Sequence, residues 1–186
     1  MVGGGLLLFA TAEPAALTPG LSKAEVYGQV LDQARALLDG QRNWVRANNN
    51  FANVSSLVYH ALHSLPAPSS AVNWCGFYFL DPSTPEQLIL GPFQGHVACQ
   101  TIRFGRGVCG AAVATGQTQL VPDVEAFPGH IACDSASKSE IVVPIIQREK
   151  VVAIIDIDCA DLSGFDTEDQ KYLEELAALL AEACDF

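Results

Sequence analysis

The sequence contains few basic residues. Lys and Arg together number 10 against 21 Asp and Glu, which gives a formal net charge of −11 at pH 7. Proteins that bind nucleic acid or anionic membrane surfaces carry clustered Lys and Arg on the binding face. No such cluster occurs here, so we expect neither nucleic acid nor a membrane as a partner. A small zwitterionic ligand is compatible with this charge.

The sequence also lacks any run of about 18 consecutive apolar residues, the length that a membrane-spanning helix requires. Residues 1–20 contain no Lys or Arg, so they lack the basic segment that opens a secretory signal peptide. We interpret residues 1–20 as a mobile N-terminal extension, with a cleaved leader as the alternative. The rest of the chain, residues 21–186, has a length typical of one domain.

The six cysteines, at positions 75, 99, 109, 133, 159 and 184, include no CxxC pair. A zinc ribbon or a thioredoxin-type motif is therefore not indicated. With 49% hydrophobic residues, the chain can form a core without disulfide cross-links. We expect a reducing, cytoplasmic location, where a disulfide is more often transient and catalytic. We expect no cofactor and no metal ion.

Helical periodicity predicts two helices before residue 66 and one after residue 166, and Ser22 with Glu25 has the spacing of a capping box. Between them, β-branched and aromatic runs predict six strands, over 73–81, 86–93, 99–107, 117–124, 140–147 and 150–158. A short helix is predicted over 107–116. Consecutive hairpins indicate an antiparallel sheet in an α+β fold, with the terminal helices on one face and the loops of the site on the other.

Two acidic residues, Asp156 and Asp158, lie two apart on an apolar strand, so their side chains share a face. With a tight turn near 148–149, hairpin pairing places Glu140 opposite about residue 157, near both carboxyl groups. Three buried carboxylates without partners would be unfavourable. The strand end either emerges into solvent or faces a cationic ligand or a shared proton.

Trp74 and Tyr78 lie four apart on a predicted strand and also share a face. Aromatic residues at this spacing belong more often to a core than to a binding site. Cys133 lies in the polar loop HIACDSASKSE, residues 130–140, whereas a free cysteine is usually a small buried residue. A thiol in such a loop is accessible, and Lys138 nearby would lower its pKa; an ordinary exposed cysteine is the alternative.

The sequence resembles the free methionine-(R)-sulfoxide reductases, small single-domain proteins with the GAF fold. The likeness covers about residues 20–186 and is strongest in NWCGFYF (73–79), GPFQGHVACQTIRFGRGVCGAA (91–112), DVEAFPGHIACDSASKSEIVVPI (123–145) and AIIDIDC (153–159). Three cysteines at the family spacing, Cys99, Cys109 and Cys133, make the resemblance specific. It implies a GAF-like fold and a thiol-dependent enzyme that reduces free L-methionine-(R)-sulfoxide to L-methionine.

By this resemblance, Cys133 matches the cysteine that attacks the sulfoxide sulfur, and the resulting sulfenic acid condenses with a second thiol. Cys99 and Cys109 both match candidates for that second thiol, and we favour Cys99. Cys109 lies in the first turn of the short predicted helix, where the helix dipole favours a thiolate. A small packed residue is the alternative role for Cys109.

The resemblance further assigns Glu140, Asp156 and Asp158 to substrate binding, and Trp74 and Tyr78 to the walls around the methionine side chain. A dithiol donor such as thioredoxin would reduce the disulfide, and the apolar last helix permits a homodimer without requiring one. The alternative function is a non-catalytic GAF domain that senses a small molecule or an oxidant. A Cys/His metal site is a weaker alternative.

Overall fold

The structure, a computed structural model, describes residues 20–40, 44–130 and 134–186, and only the backbone of 44–48. Its strands are β1 (Val72–Leu80), β2 (Gln87–Gly95), β3 (Thr101–Arg103), β4 (Gln119–Val121), β5 (Ser139–Gln147) and β6 (Lys150–Cys159). They form one antiparallel sheet in the order β3-β2-β1-β6-β5-β4. This confirms the predicted six-stranded sheet. The predicted extension, apart from Gly20, lies outside the described residues.

The helices are α1 (Lys23–Leu38), α2 (Trp44–His63), α3 (Gly107–Thr115) and α4 (Thr167–Ala183). Helices α1, α2 and α4 pack together on one face of the sheet and form the larger apolar core there. The shorter α3 packs on β5 and β6 from the opposite face, over a smaller apolar cluster. We refer to the face of the sheet that carries α3 as the site face. Within the described ranges, no helix has the length and apolar character needed to cross a bilayer.

The ends of two helices are fixed by side-chain caps. Ser22 and Glu25 form the predicted capping box of α1, with the Ser22 amide donating to Glu25 Oε2 at 2.9 Å. Asp166 caps α4 together with Asp169. The fully buried Asp169 carboxylate also accepts hydrogen bonds from Tyr27 Oη at 2.8 Å and Lys23 Nζ at 2.7 Å. These contacts join the first and last helices behind the sheet.

A β-bulge in the β5–β6 hairpin decides which face the acidic residues occupy. The turn at Arg148 and Glu149 has positive φ at both residues, 52° and 64°, as a two-residue type I′ hairpin loop requires. Pairing slips by one residue between Ile146↔Val151 and Ile145↔Ala153, which leaves Val152 as the extra residue. Glu140 consequently pairs with Asp158, not with residue 157 as simple hairpin counting predicts. This register puts Glu140 on the same face as Asp156 and Asp158, whereas pairing with residue 157 would put it on the opposite face.

Gly76 leaves room for an aromatic ring on the site face of β1. It pairs with Asp156 on one side and with Phe93 on the other. A Cβ atom at this position would meet Cη2 of Trp74 at 2.6 Å and would also collide with Cβ of Phe93. The absence of a side chain therefore allows the Trp74 indole to lie flat along the strand.

We expect Gly76→Ala to lower the free energy of unfolding by about 1–3 kcal/mol, the usual effect of overpacking a tight position. It should also change the near-ultraviolet circular dichroism of Trp74. Gly28→Ala is the matched control, because an added Cβ at that helical position has nothing within 4 Å. The control should raise stability by about 0.5–1 kcal/mol. Equal effects of both substitutions in urea unfolding would contradict the packing described for Gly76.

Candidate active site

A cavity of about 420 Å³ opens on the face of the sheet that carries α3. Its wall includes most of the residues that the sequence singled out: Trp74, Tyr78, Cys99, Cys109, Glu140, Asp156 and Asp158. The structure thus brings together residues from β1, β5, β6, α3 and the loop before β3. Cys133 lies outside the described residues, but its neighbours on either side in the described chain, His130 and Asp134, also line the cavity.

The acidic floor of the cavity follows from strand register. Glu140 pairs with Asp158, which in turn pairs with Trp74, so these three side chains form a row across three adjacent strands. Asp156 occupies the next row on the same face, paired with Gly76. Glu140 and Asp156 are each only 6% exposed. The predicted convergence of the three acids is therefore present in the structure, inside the cavity and not at a solvated strand end.

Three carboxyl groups at close range in a buried place favour protonated forms. Burial, and then the charges of Asp156 and Asp158, raise the pKa of Glu140 well above its ordinary value. Burial raises the pKa of Asp156 to about 6, against the opposing hydrogen bonds from Cys109 and Glu140. Burial and the Asp156 charge also raise the pKa of Asp158 well above its ordinary value. The floor therefore holds protons near neutral pH. An approaching cation displaces such a proton, whereas an oxygen atom can accept it.

Cys109, at the third position of α3, faces this floor. Its Sγ donates to Glu140 Oε1 at 3.7 Å. Burial, together with the Asp156 and Glu140 carboxylates, raises the pKa of Cys109 well above its ordinary value. This contradicts the thiolate expected from the helix dipole, because burial of the sulfur, and then the neighbouring carboxyl groups, outweigh the dipole. Sγ of Cys109 and one oxygen each of Glu140 and Asp156 lie within 4.8 Å of one another, the only such trio with metal-ligand spacing among the described residues.

The two aromatic residues form a wall and also hold the loop that follows β2. Trp74 stacks on Tyr78 with ring centroids 5.9 Å apart and on Phe93 at 5.3 Å. Trp74 Nε1 donates to the carbonyl of His96 at 3.1 Å, and Tyr78 Oη donates to the carbonyl of Cys99 at 3.0 Å. These residues therefore belong both to the smaller core and to the site, and they position the backbone at Cys99.

Cys99 is disulfide-bonded in this structure, whereas Cys75, Cys109 and Cys159 have free, buried thiols. Cys99 lies in the loop, since β3 begins at Thr101 and not at Cys99 as predicted. Cys75, Cys159 and Cys184 are buried in the larger core, where they pack as small apolar residues. Cys99 is thus a disulfide-bonded residue of the cavity wall.

A polar network beside the cavity was missed by the sequence reasoning. Asn73 Nδ2 donates to Ser137 Oγ at 3.0 Å and to Asp134 Oδ2 at 3.3 Å. Asp134 Oδ1 in turn accepts from the amide of Ala136 at 2.9 Å, and its other oxygen lies 3.4 Å from His96 Nδ1. The network joins the loop before Cys99 to the turn that follows Cys133. The polar run DSAS at 134–137, which is typical of side chain-to-backbone turns, was the available signal.

The raised pKa of Asp156 makes a testable statement about stability. The folded chain holds this proton more tightly than the unfolded chain, so the contribution is present below the ordinary pKa of 3.8 and is lost as pH rises through about 6. Asp156→Asn removes that loss. Relative to the unsubstituted chain, the variant should gain about 2 kcal/mol between pH 4.5 and pH 8.

Urea unfolding at the two pH values measures this difference between the chains. Asp32→Asn removes an exposed carboxylate that pairs with Arg35 and is the control, with an expected change below about 0.5 kcal/mol. A stability difference between Asp156→Asn and the unsubstituted chain that is equal at both pH values would contradict the raised pKa.

Comparisons with known proteins agree with this geometry. The profile of the GAF domain family matches residues 50–185. The free methionine-R-sulfoxide reductase of Saccharomyces cerevisiae is 53% identical over 167 residues, which cover 89% of each chain. That of Escherichia coli is 41% identical over 160 residues, which cover 86% of this chain and 89% of its own.

Among solved structures, the X-ray structure of the free methionine-R-sulfoxide reductase from Neisseria meningitidis in complex with its substrate matches with a TM-score of 0.80. Its sequence identity is 40%, and the match covers 90% of this chain and 94% of the other. The fold, the cavity and these matches agree with one another. The chain belongs to the free methionine-R-sulfoxide reductases, a family of oxidoreductases built on the GAF domain.

Proposed function

We propose that this chain reduces free L-methionine-(R)-sulfoxide to L-methionine, with Cys133 as the nucleophile and Cys99 as the main resolving cysteine. The observation that supports it most strongly is the convergence of three carboxyl groups, an aromatic wall and Cys99 on one cavity. A blocked or peptide-bound methionine has no free α-ammonium to meet such a floor. The alternative of a non-catalytic sensor is disfavoured by the family to which the chain belongs.

The cavity has complementary features for each end of the substrate. The stacked rings of Trp74 and Tyr78 offer an apolar face to the S-methyl group, and sulfur beside an aromatic ring is a favourable contact. The α-ammonium group meets Glu140, Asp156 and Asp158, whose mutual repulsion it relieves. A carboxyl group of this trio that remains protonated donates a hydrogen bond to the sulfoxide oxygen and then the proton.

The reaction consumes two thiols and releases water. The Cys133 thiolate attacks the sulfoxide sulfur, the oxygen is protonated, and L-methionine leaves as Cys133 becomes a sulfenic acid. The Cys99 thiol then condenses with this sulfenic acid to form a disulfide and water. The two electrons that reduce the sulfur thus come from the two thiols. That Cys99 is disulfide-bonded in the structure supports its role as the resolving cysteine, while Cys109 keeps a free thiol.

A dithiol donor of the thioredoxin type returns the disulfide to two thiols by exchange. This requirement favours the reducing cytoplasm as the location of the protein.

The proposed catalytic unit comprises residues 21–186 and so includes α1, because Val26, Tyr27, Val30 and Leu31 of α1 are buried in the larger core. A homodimer that packs through the terminal helices stays a prediction.

The purified chain, given dithiothreitol and separate R and S epimers of free methionine sulfoxide, should form methionine from the R epimer only. Cys133→Ser should abolish turnover, because the hydroxyl group is a far weaker nucleophile than a thiolate. Cys184→Ala, which removes a buried thiol at the end of α4, is the matched control and should retain activity. Turnover of both epimers would rule out the stereochemical assignment, and an active Cys133→Ser chain would rule out the nucleophile.

The role of the acidic floor predicts a strong preference for the unblocked amino acid. N-acetyl-L-methionine-(R)-sulfoxide, which has no ammonium group, should show a kcat/KM at least about 100-fold lower than the free substrate. Asp158→Asn should raise KM for the free substrate and narrow the gap between the two. Comparable kcat/KM values for the free and acetylated substrates in the unsubstituted chain would show that these carboxyl groups do not bind the ammonium.

A further inference from the structure

Three buried ligand atoms converge at the base of the cavity, where α3 meets β5 and β6. We propose that Cys109, Glu140 and Asp156 form an inhibitory Zn²⁺ site that overlaps the ammonium-binding floor. These residues are 5%, 6% and 6% exposed, respectively, and all three line the cavity, so a metal ion has a route from solvent. Metal binding itself does not depend on the proposed reaction, whereas the inhibition rests on the proposed position of the substrate.

The spacing of the ligand atoms fits a small tetrahedral ion. One atom from each of the three side chains lies within 4.8 Å of the other two, and Cys109 Sγ lies 3.7 Å from Glu140 Oε1. Zinc bonds of about 2.3 Å to sulfur and about 2.0 Å to oxygen place such ligands about 3.5 Å apart. The sulfur–oxygen edge is therefore already near the required length, and the fourth position opens into the cavity.

An unsatisfied oxygen atom points independently to a missing ligand. Asp156 Oδ1 is completely buried and has no hydrogen-bond partner among the described residues. A buried carboxylate oxygen without a partner is unfavourable, and a bound cation would satisfy it. The same cation would oppose the charges of the deprotonated carboxyl groups that bind it.

The donor set selects among metal ions. Mg²⁺ and Ca²⁺ prefer oxygen ligands alone, so the sulfur of Cys109 disfavours them. One thiolate with two carboxylates suits Zn²⁺, which accepts sulfur and oxygen in four-coordinate sites. Binding deprotonates Cys109 and the protonated carboxyl group, and these protons pass to the buffer, so affinity should rise with pH.

Zinc titration of the full-length chain in its disulfide form tests the site, because no added dithiol then competes for the metal. Competition with a chromophoric chelator should show one tightly bound Zn²⁺ per chain. Cys109→Ser and Asp156→Asn should each weaken binding by at least about tenfold. The control His60→Ala/His63→Ala removes two exposed imidazoles at the end of α2 and should leave the affinity unchanged.

Co²⁺ in place of Zn²⁺ provides a second readout that does not depend on comparing variants. It should give a thiolate-to-metal charge-transfer band in the near ultraviolet, which is absent in Cys109→Ser. Far-ultraviolet circular dichroism of each variant confirms that it is folded. Unchanged zinc affinity in both site variants, loss of binding in the histidine control, or absence of the cobalt band would overturn the metal site.

Competition with L-methionine separates the metal site from the proposed function. Saturating L-methionine should weaken zinc binding at least about tenfold, because its ammonium and the metal use the same carboxylates. Zinc binding that depends on Cys109 but is unaffected by L-methionine would overturn the overlap and keep the metal site. Failure of sulfoxide turnover in the metal-free chain would instead overturn the proposed reaction, whatever the titration shows.

Discussion

The confinement of three carboxyl groups to one buried patch of sheet is the constraint on which the rest of this structure depends. Each group is stable there only if it is protonated, hydrogen-bonded or opposed by a positive charge. Among the described residues, the Cys109 thiol donates to Glu140 at 3.7 Å, while burial raises the pKa of all three carboxyl groups. The unliganded chain therefore keeps unfavourable interactions among buried carboxyl groups at the base of the cavity. A ligand with an ammonium group, or a metal ion, gains binding energy by relieving them.

The aromatic wall formed by Trp74 and Tyr78 connects this floor to the loop that carries Cys99. Trp74 and Tyr78 donate hydrogen bonds to the backbone of His96 and Cys99, while their rings face the cavity. On the other side, Asn73 reaches the turn at Asp134 and Ser137. Asn73, Trp74 and Tyr78 of β1 thus hold the loop that follows β2 and the turn at Asp134–Ser137 against the same strand.

Local sequence patterns predicted most of the fold and most of the site. Some features depend only on residues close together in the chain, so a single sequence is enough to predict them. They are the Ser22–Glu25 cap, the alternating side-chain pattern of β1 and the shared face of Asp156 and Asp158. The roles of the three cysteines came from the family resemblance. What escaped prediction depends on contacts between distant segments. The raised pKa of Cys109 results from its burial where α3 packs on β5, and the Asn73 network joins positions about sixty residues apart.

The extra residue at Val152 limits which insertions and deletions the β5–β6 hairpin can tolerate. Side chains alternate between the two faces of a strand, so inserting or removing one residue between the hairpin turn and Ile154 would send Asp156 and Asp158 into the hydrocarbon behind the sheet. Ile155 and Ile157 would then occupy the cavity. Viable insertions and deletions in this hairpin should therefore come in twos, or arise together with the gain or loss of a second irregularity. Whether a change adds or removes an odd or an even number of residues should therefore matter more here than how many residues it adds or removes.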